Sequence, residues 1–134
     1  MKKNIIMVLS ILLLTTACSG SSFKSINLNN LKKSLEKKES FVLYLTDESN
    51  DGNVLLKTLK KVSNENNVKT YYLNTEKLND KDNNELNNSF KYENTNIIIF
   101  VKDGTEETVL SRIDDIYISK TKLKSELVIQ GYIK

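Results

Sequence analysis

The two residue types most often met as nucleophile, general base and metal ligand are almost missing from this sequence. Of 134 residues one is cysteine, Cys18, and none is histidine. The usual general base and the commonest nitrogen ligand are therefore both missing, and a single thiol makes neither an intrachain disulfide nor a dithiol redox pair. One oxygen pattern stands out. Asp47, Ser49 and Asp51 fall at positions 1, 3 and 5 of a twelve-residue calcium loop, with Gly52 at position 6. Position 12 breaks the pattern, because Thr58 stands where a bidentate glutamate is needed. The competing expectation is that Ser49, Asn50 or Asp51 caps a helix and that Gly52 relieves the backbone. Ser34 and Lys37 have the spacing by which a lysine activates a serine, but both lie on one amphipathic stretch. Asp80, Asp82 and Glu85 cluster in a polar, asparagine-rich segment, and Asp114 and Asp115 precede an apolar one; neither group has a recognisable catalytic partner. No metal and no cofactor is expected.

Cys18 has a context of its own. Lys2 and Lys3 precede an apolar run, Ile5 to Leu14, that only Ser10 interrupts. Ten helical residues span about 15 Å, roughly half a bilayer core, so the run is too short to cross a membrane. It has the parts of a secretory signal instead. The segment Leu-Leu-Thr-Thr-Ala-Cys-Ser-Gly, ending at Gly20, resembles a bacterial lipobox, with Thr15 where leucine or valine is usual. The resemblance implies cleavage before Cys18, lipidation of its sulfur, and acylation that holds the chain on the outer face of a membrane. Residues 1–17 are then a signal peptide, 18–26 a lipidated tether and 27–134 one domain. Removing residues 1–17 takes the formal net charge from +3 to +1. A nearly neutral surface is a poor nucleic-acid binder, and the pairs Lys32–Lys33, Lys37–Lys38 and Lys60–Lys61 read as solvated helix faces.

The elements follow from hydrophobic spacing. Leu28, Leu31 and Leu35 mark an amphipathic helix capped by Asn27. Phe41 to Leu45 is a continuous run of strand formers, as in a strand buried on both faces. A polar loop over 46–53 leads to a helix on Leu55, Leu59 and Val62, which ends at Asn64 to Asn67. Val68 to Leu73 reads as a strand, Asn79 to Asn88 as a helix anchored by Leu86 and Phe90, and Ile97 to Val101 as a second buried strand. A turn at Lys102-Asp103-Gly104 predicts a return strand over 108–112. A last helix runs from Ser119 to about Gln130, with Leu123, Leu127 and Val128 inward and Gly131 at its C-terminal cap. Alternating strands and helices with a terminal hairpin predict an α/β fold, a mixed sheet with helices on both faces.

That order and two segments resemble the thioredoxin-like superfamily. Phe41 to Val54 is similar to the strand, loop and helix start that carry its Cys-x-x-Cys. Asn94-Thr-Asn-Ile-Ile-Ile-Phe-Val-Lys-Asp-Gly104 is similar to its Gly-Thr-Pro-Thr-Ile-Ile-Phe segment, and Tyr71 to Thr75 to the strand end between them. The resemblance is nearest to the branch that includes bacteriocin transport accessory proteins. It places Asn50 and Asn53 at the cysteine positions and Asn96 at the cis-proline position. A cis bond before a residue other than proline costs about 2.5–4 kcal/mol, so a trans bond is expected there. Thiolate attack and disulfide exchange need a sulfur nucleophile, so the resemblance implies a redox-inactive member, not an enzyme. The surface that receives extended peptides in the family would here include Tyr92 and Thr95. The expected role is a membrane-held module that binds a protein or peptide. The alternatives are an accessory or immunity-type protein of bacteriocin export, and a calcium-binding module at residues 47–53.

Overall fold

The fold is built round one strand with no wet side. In the computed structural model, which describes residues 22–47, 49–90, 96–110 and 119–134 (at 50, 51 and 106–110 the backbone path only), strand β2 (Phe41–Thr46) is buried at every position. Its side chains alternate between two separate cores. Phe41, Leu43 and Leu45 pack with Ile97, Ile99 and Val101. Val42 and Tyr44 point the other way and pack with Ile98 and Phe100.

Each core is closed by two helices. Helix α1 (Leu28–Glu36) and helix α3 (Asp80–Ser89) bring Leu28, Leu31, Leu86 and Phe90 to the first core. Helix α2 (Asn50–Asn66) and helix α4 (Lys120–Ile129) bring Leu55, Leu59, Val62, Leu123 and Leu127 to the second. Each fully buried leucine contributes about 1.5–3 kcal/mol relative to leaving it exposed. The mixed sheet with helices on both faces is as the sequence predicts.

The sheet order is β1-β3-β2-β4-β5. Strand β3 (Thr70–Asn74) runs parallel to β2, as a strand–helix–strand crossover through α2 requires. Strand β4 (Ile97–Lys102) runs antiparallel to β2, with Leu43 opposite Ile99. Strand β5 (Thr105–Leu110) returns antiparallel to β4 with an irregularity at Phe100/Val101.

Four expectations need correction. Residues 23–26 are not tether: Phe23–Ser25 form β1, paired in parallel with β3. Phe23 is buried beside Val62 and Val68, and its ring stacks on Tyr72 at 5.1 Å, so one aromatic residue draws the segment onto the sheet. The return strand begins at Thr105, not at 108, because the turn at Asp103 and Gly104 takes two left-handed residues, φ 52° and 76°. Helix α2 starts at Asn50, inside the expected loop. Val128 is 46% exposed, one residue round the helix from buried Leu127.

The caps are read correctly. Asn27 accepts from the Asn30 N–H at 2.8 Å. Asn67 ends α2 in the left-handed region, φ 53°. Gly131 follows α4 at φ 82°, and the Gly131 and Tyr132 N–H groups donate to the Val128 and Leu127 carbonyls. A buried hydroxyl pair joins α2 to β3. Thr70 donates to the Val68 carbonyl at 3.1 Å, so Ser63 supplies the proton of the 2.8 Å contact between the two side chains.

Gly104 separates two demands on a glycine. Its φ is positive, and a Cβ there would also run into the Leu35 carbonyl at the end of α1. Gly131 has a similar φ with nothing within 4 Å of its would-be Cβ. Gly131→Ala is expected to cost about 1 kcal/mol, the left-handed preference alone. Gly104→Ala is expected to cost at least about 2 kcal/mol more. Urea unfolding of the two variants checks this, and equal losses would remove the contact from the account.

Candidate functional site

Some of the residues singled out by the sequence, positions 47, 49, 50, 52, 53 and 96, meet at one corner of the sheet. Three chain segments end there: the C-terminal end of β2, the first turn of α2 and the start of β4. Ser49 caps α2, accepting from the Gly52 N–H at 3.2 Å, and the Asn53 N–H makes the first helical bond to the Ser49 carbonyl at 2.9 Å. Of the three cap candidates it is Ser49 that caps. Asn50 is the first residue of α2 and Asn53 lies one turn later, with an exposed side chain.

Asn96 holds this corner together. Its backbone is left-handed, φ 60°, a region that asparagine enters more readily than most residues. Proline, fixed near −65°, cannot adopt it. Its side chain is 9% exposed and its amide reaches into the α2 cap. Nδ2 donates to Asp47 Oδ1 at 2.9 Å and to Ser49 Oγ at 3.0 Å. Oδ1 accepts from the Asp47 N–H at 3.2 Å and lies 3.4 Å from the Tyr44 hydroxyl oxygen, whose single proton points to another acceptor. Exchanging the amide oxygen and nitrogen would set a donor against the Asp47 N–H, so these partners fix the orientation. Tyr44 donates to the Gly52 carbonyl at 2.9 Å, tying β2 to the same turn.

Gly52 has a different purpose from the one expected. It is not among the residues with positive φ, so no backbone relief is involved. A Cβ at this position would stand 2.5 Å from Asn96 Oδ1 and 3.0 Å from Thr46 Oγ1. Glycine is required so that the amide can approach the helix.

The corner's polar side chains bond one another. Asp47 Oδ1 accepts from Asn96 and from the Ser49 N–H at 2.9 Å, and Ser49 Oγ accepts from Asn96 and Gly52. Two of the oxygens that the calcium reading names, Asp47 Oδ1 and Ser49 Oγ, are thus engaged in the cap. Among the described residues no three histidine, cysteine, aspartate or glutamate side chains come together as a metal site. Three carboxylates whose acidity the fold changes lie elsewhere, on the surface. Glu39 is held below the ordinary range by hydrogen bonds from Ser34 and then Lys69, Glu65 by Lys120 and Glu85 by Lys32. None is raised, as a general acid would be. Ser34 faces the core of α1 and bonds Glu39, not Lys37. Asp80 and Asp82 sit in the first turn of α3, where the helix dipole favours them.

Cys18, Tyr92, Thr95, Asp114 and Asp115 lie outside the described residues. No peptide bond among the described residues is cis. The sequence reading missed Tyr44, Asp47 and Ser49 as partners of Asn96. A tyrosine in the middle of an otherwise apolar strand was the available signal, because a buried hydroxyl needs an acceptor.

No family model and no curated protein matches this sequence. Solved structures do resemble it. Thioredoxin O2 from Arabidopsis thaliana, in its oxidized state, superposes with a TM-score of 0.64 at 18% identity, covering 84% of this chain and 96% of that one. Thioredoxin f2 from Chlamydomonas reinhardtii gives 0.62 at 16%, over 84% and 99%. A mutant thioredoxin from Halobacterium salinarum gives 0.59 at 8%, over 87% and 96%.

The contact between Gly52 and Asn96 is measurable as a coupling. Asn96→Ala is expected to cost about 2–3 kcal/mol through lost hydrogen bonds and the left-handed backbone. Gly52→Ala should destabilise by about 1–3 kcal/mol despite alanine's higher helix propensity, and by clearly less once Asn96 is alanine. A double-mutant cycle by urea unfolding should therefore show at least about 1 kcal/mol of coupling, and additive losses would dismiss the clasp. On the architecture and these likenesses, the chain is an α/β domain with a thioredoxin-like fold.

Proposed function

We propose that this protein is a lipid-anchored, redox-inactive thioredoxin-like module that works at the outer face of a cell membrane by binding a protein or peptide. The observation that carries this reading is the Asn96 clasp. The sequence resemblance places Asn96 where the superfamily has the proline that faces its dithiol, and places Asn50 and Asn53 where it has the two sulfurs. The amide of Asn96 bonds Asp47 and Ser49, which ties the corner to itself with asparagines where the resemblance places thiols. The one thiol in the sequence is Cys18, at the end of a lipobox-like segment. Among the described residues no helix is long and apolar enough to cross a membrane; the anchor in this reading is the acyl group on Cys18.

Binding needs no sulfur. A peptide can add as a strand or lie across a loop on main-chain hydrogen bonds alone. Asn53 and half-exposed Val54 border the corner on its outer side, and Tyr92 and Thr95 precede Asn96 in sequence. These four residues are the proposed contact surface for an extended partner.

Two measurements test the two halves of the reading. Insulin reduction by the chain from Cys18 onward should stay at the background rate, and turnover with either Cys18 or Cys18→Ser would overturn the redox-inactive assignment. In cells, Cys18→Ser should move the protein from the membrane fraction to the medium and abolish incorporation of labelled palmitate. Retention of the variant in the membrane would overturn the lipid anchor.

A further inference from the structure

The lysines are unevenly shared between the two faces of the sheet. Helices α2 and α4 carry six lysines against three acidic residues, whereas α1 and α3 carry three lysines against four. Read along the sequence, Lys57, Lys60 and Lys61 and then Lys120, Lys122 and Lys124 are two separate solvated helix faces. The fold puts them on neighbouring helices over one core, and all six are exposed. Lys120 reaches across to Glu65 at 2.6 Å, and Lys61 and Lys124 also lower the acidity range of that carboxylate. The charges of α2 and α4 therefore converge near the C-terminal end of α2. On the same side, Lys124 is followed one turn later by Val128, and Val128 and Ile129 are 46% and 73% exposed.

The chain joins the fold beside this face. The Ser22 carbonyl accepts from the Thr70 N–H at 2.8 Å, Ser22 borders one shallow hollow with Lys24, Asn67 and Lys69, and Phe23 packs under α2. Asn67 is the residue that ends α2. Only residues 19–21 separate Cys18 from Ser22, so Cys18 lies at most about 14 Å of chain from Ser22, which borders that end of α2 across the hollow. A tether this short holds the α2–α4 side close to whatever surface the lipid enters.

We propose that the outward face of α2 and α4 lies against an anionic membrane surface, its lysines among phosphate headgroups and Val128 and Ile129 at the boundary with the acyl chains. The proposal rests on the lipid anchor described above. The charge sign fits, since exposed lysines within a Debye length of an anionic leaflet are attracted to it. The exposed apolar pair at the end of the basic stripe is the composition of a surface that rests on an interface. With this face down, the corner around Asn96 lies at the other end of α2 from the tether.

The test attaches the protein chemically, so that it does not depend on lipidation in the cell. The chain from Cys18 onward is coupled through its thiol to a maleimide phospholipid in vesicles and labelled with an amine-reactive reagent. Each lysine is then read by mass spectrometry, with exposed Lys33, Lys37 and Lys38 as the reference. On phosphatidylcholine–phosphatidylglycerol vesicles the α2 and α4 lysines should be labelled at least about five-fold more slowly than the reference, the scale of one lysine's attraction to such a surface. The protection should fade in phosphatidylcholine alone and as salt is raised. The variant Lys57→Glu, Lys60→Glu, Lys61→Glu, Lys124→Glu keeps the Lys120–Glu65 pair and changes only exposed positions; it should keep its melting temperature and lose the protection. Equal labelling of the two faces on anionic vesicles overturns the proposal, as does protection that is insensitive to lipid charge, or that arises only in cell envelopes and so reports a protein partner. Failure of the anchor itself shows separately, as Cys18→Ser protein remaining in the membrane fraction while the vesicle result stands.

Discussion

A strand buried on both faces and on both edges is the constraint from which the rest of this molecule follows. Phe41–Thr46 exposes at most 2% of any side chain. Each face of such a strand must be covered, and its backbone must find partners on both sides, because an unpaired buried amide costs as much as a lost hydrogen bond. Strands β3 and β4 supply the partners. Helices α1 and α3 cover one face, α2 and α4 the other. Every element is then placed by its relation to β2, including the corner where β2 ends.

At that corner the polar groups of three segments leave the regular ladders together. The end of β2 has run out of strand partners, α2 begins with unsatisfied N–H groups, and β4 enters through a left-handed residue. One side chain, the amide of Asn96, offers two donors and an acceptor, and all three are used there. Asparagine suits the place on both counts, its amide chemistry and its tolerance of positive φ. The cost is space, and Gly52 provides it. A corner arranged in this way spends its amide and cap groups on one another, which directs attention to its outer surface and to the faces of the helices.

Much of the scaffold was legible. The unbroken run Phe41–Leu45 announced a doubly buried strand, leucine spacing announced α1 and α2, and asparagine and glycine announced the caps at 27, 67 and 131, because each of these signals is local. The misreadings share one cause. Phe23–Ser25 is three residues long and becomes a strand only because β3 lies beside it. Val128 is apolar and near the core in sequence, yet the turn of the helix carries it past. The candidate corner was located by resemblance, but its chemistry was not. Nothing in the spacing of Tyr44, Asp47, Ser49 and Asn96 links them, since their contacts join residues up to 52 positions apart.

The sequence by itself determined which chemistries are absent from the chain. One cysteine and no histidine exclude dithiol exchange and imidazole catalysis whatever the fold, since composition limits reactivity without reference to geometry. It also determined the strand and helix periods, which depend on neighbours within a few residues. The tertiary structure decided what the asparagine at position 96 does and where the lysines gather. Both depend on distances between segments far apart in the chain, set only when the two cores close round β2.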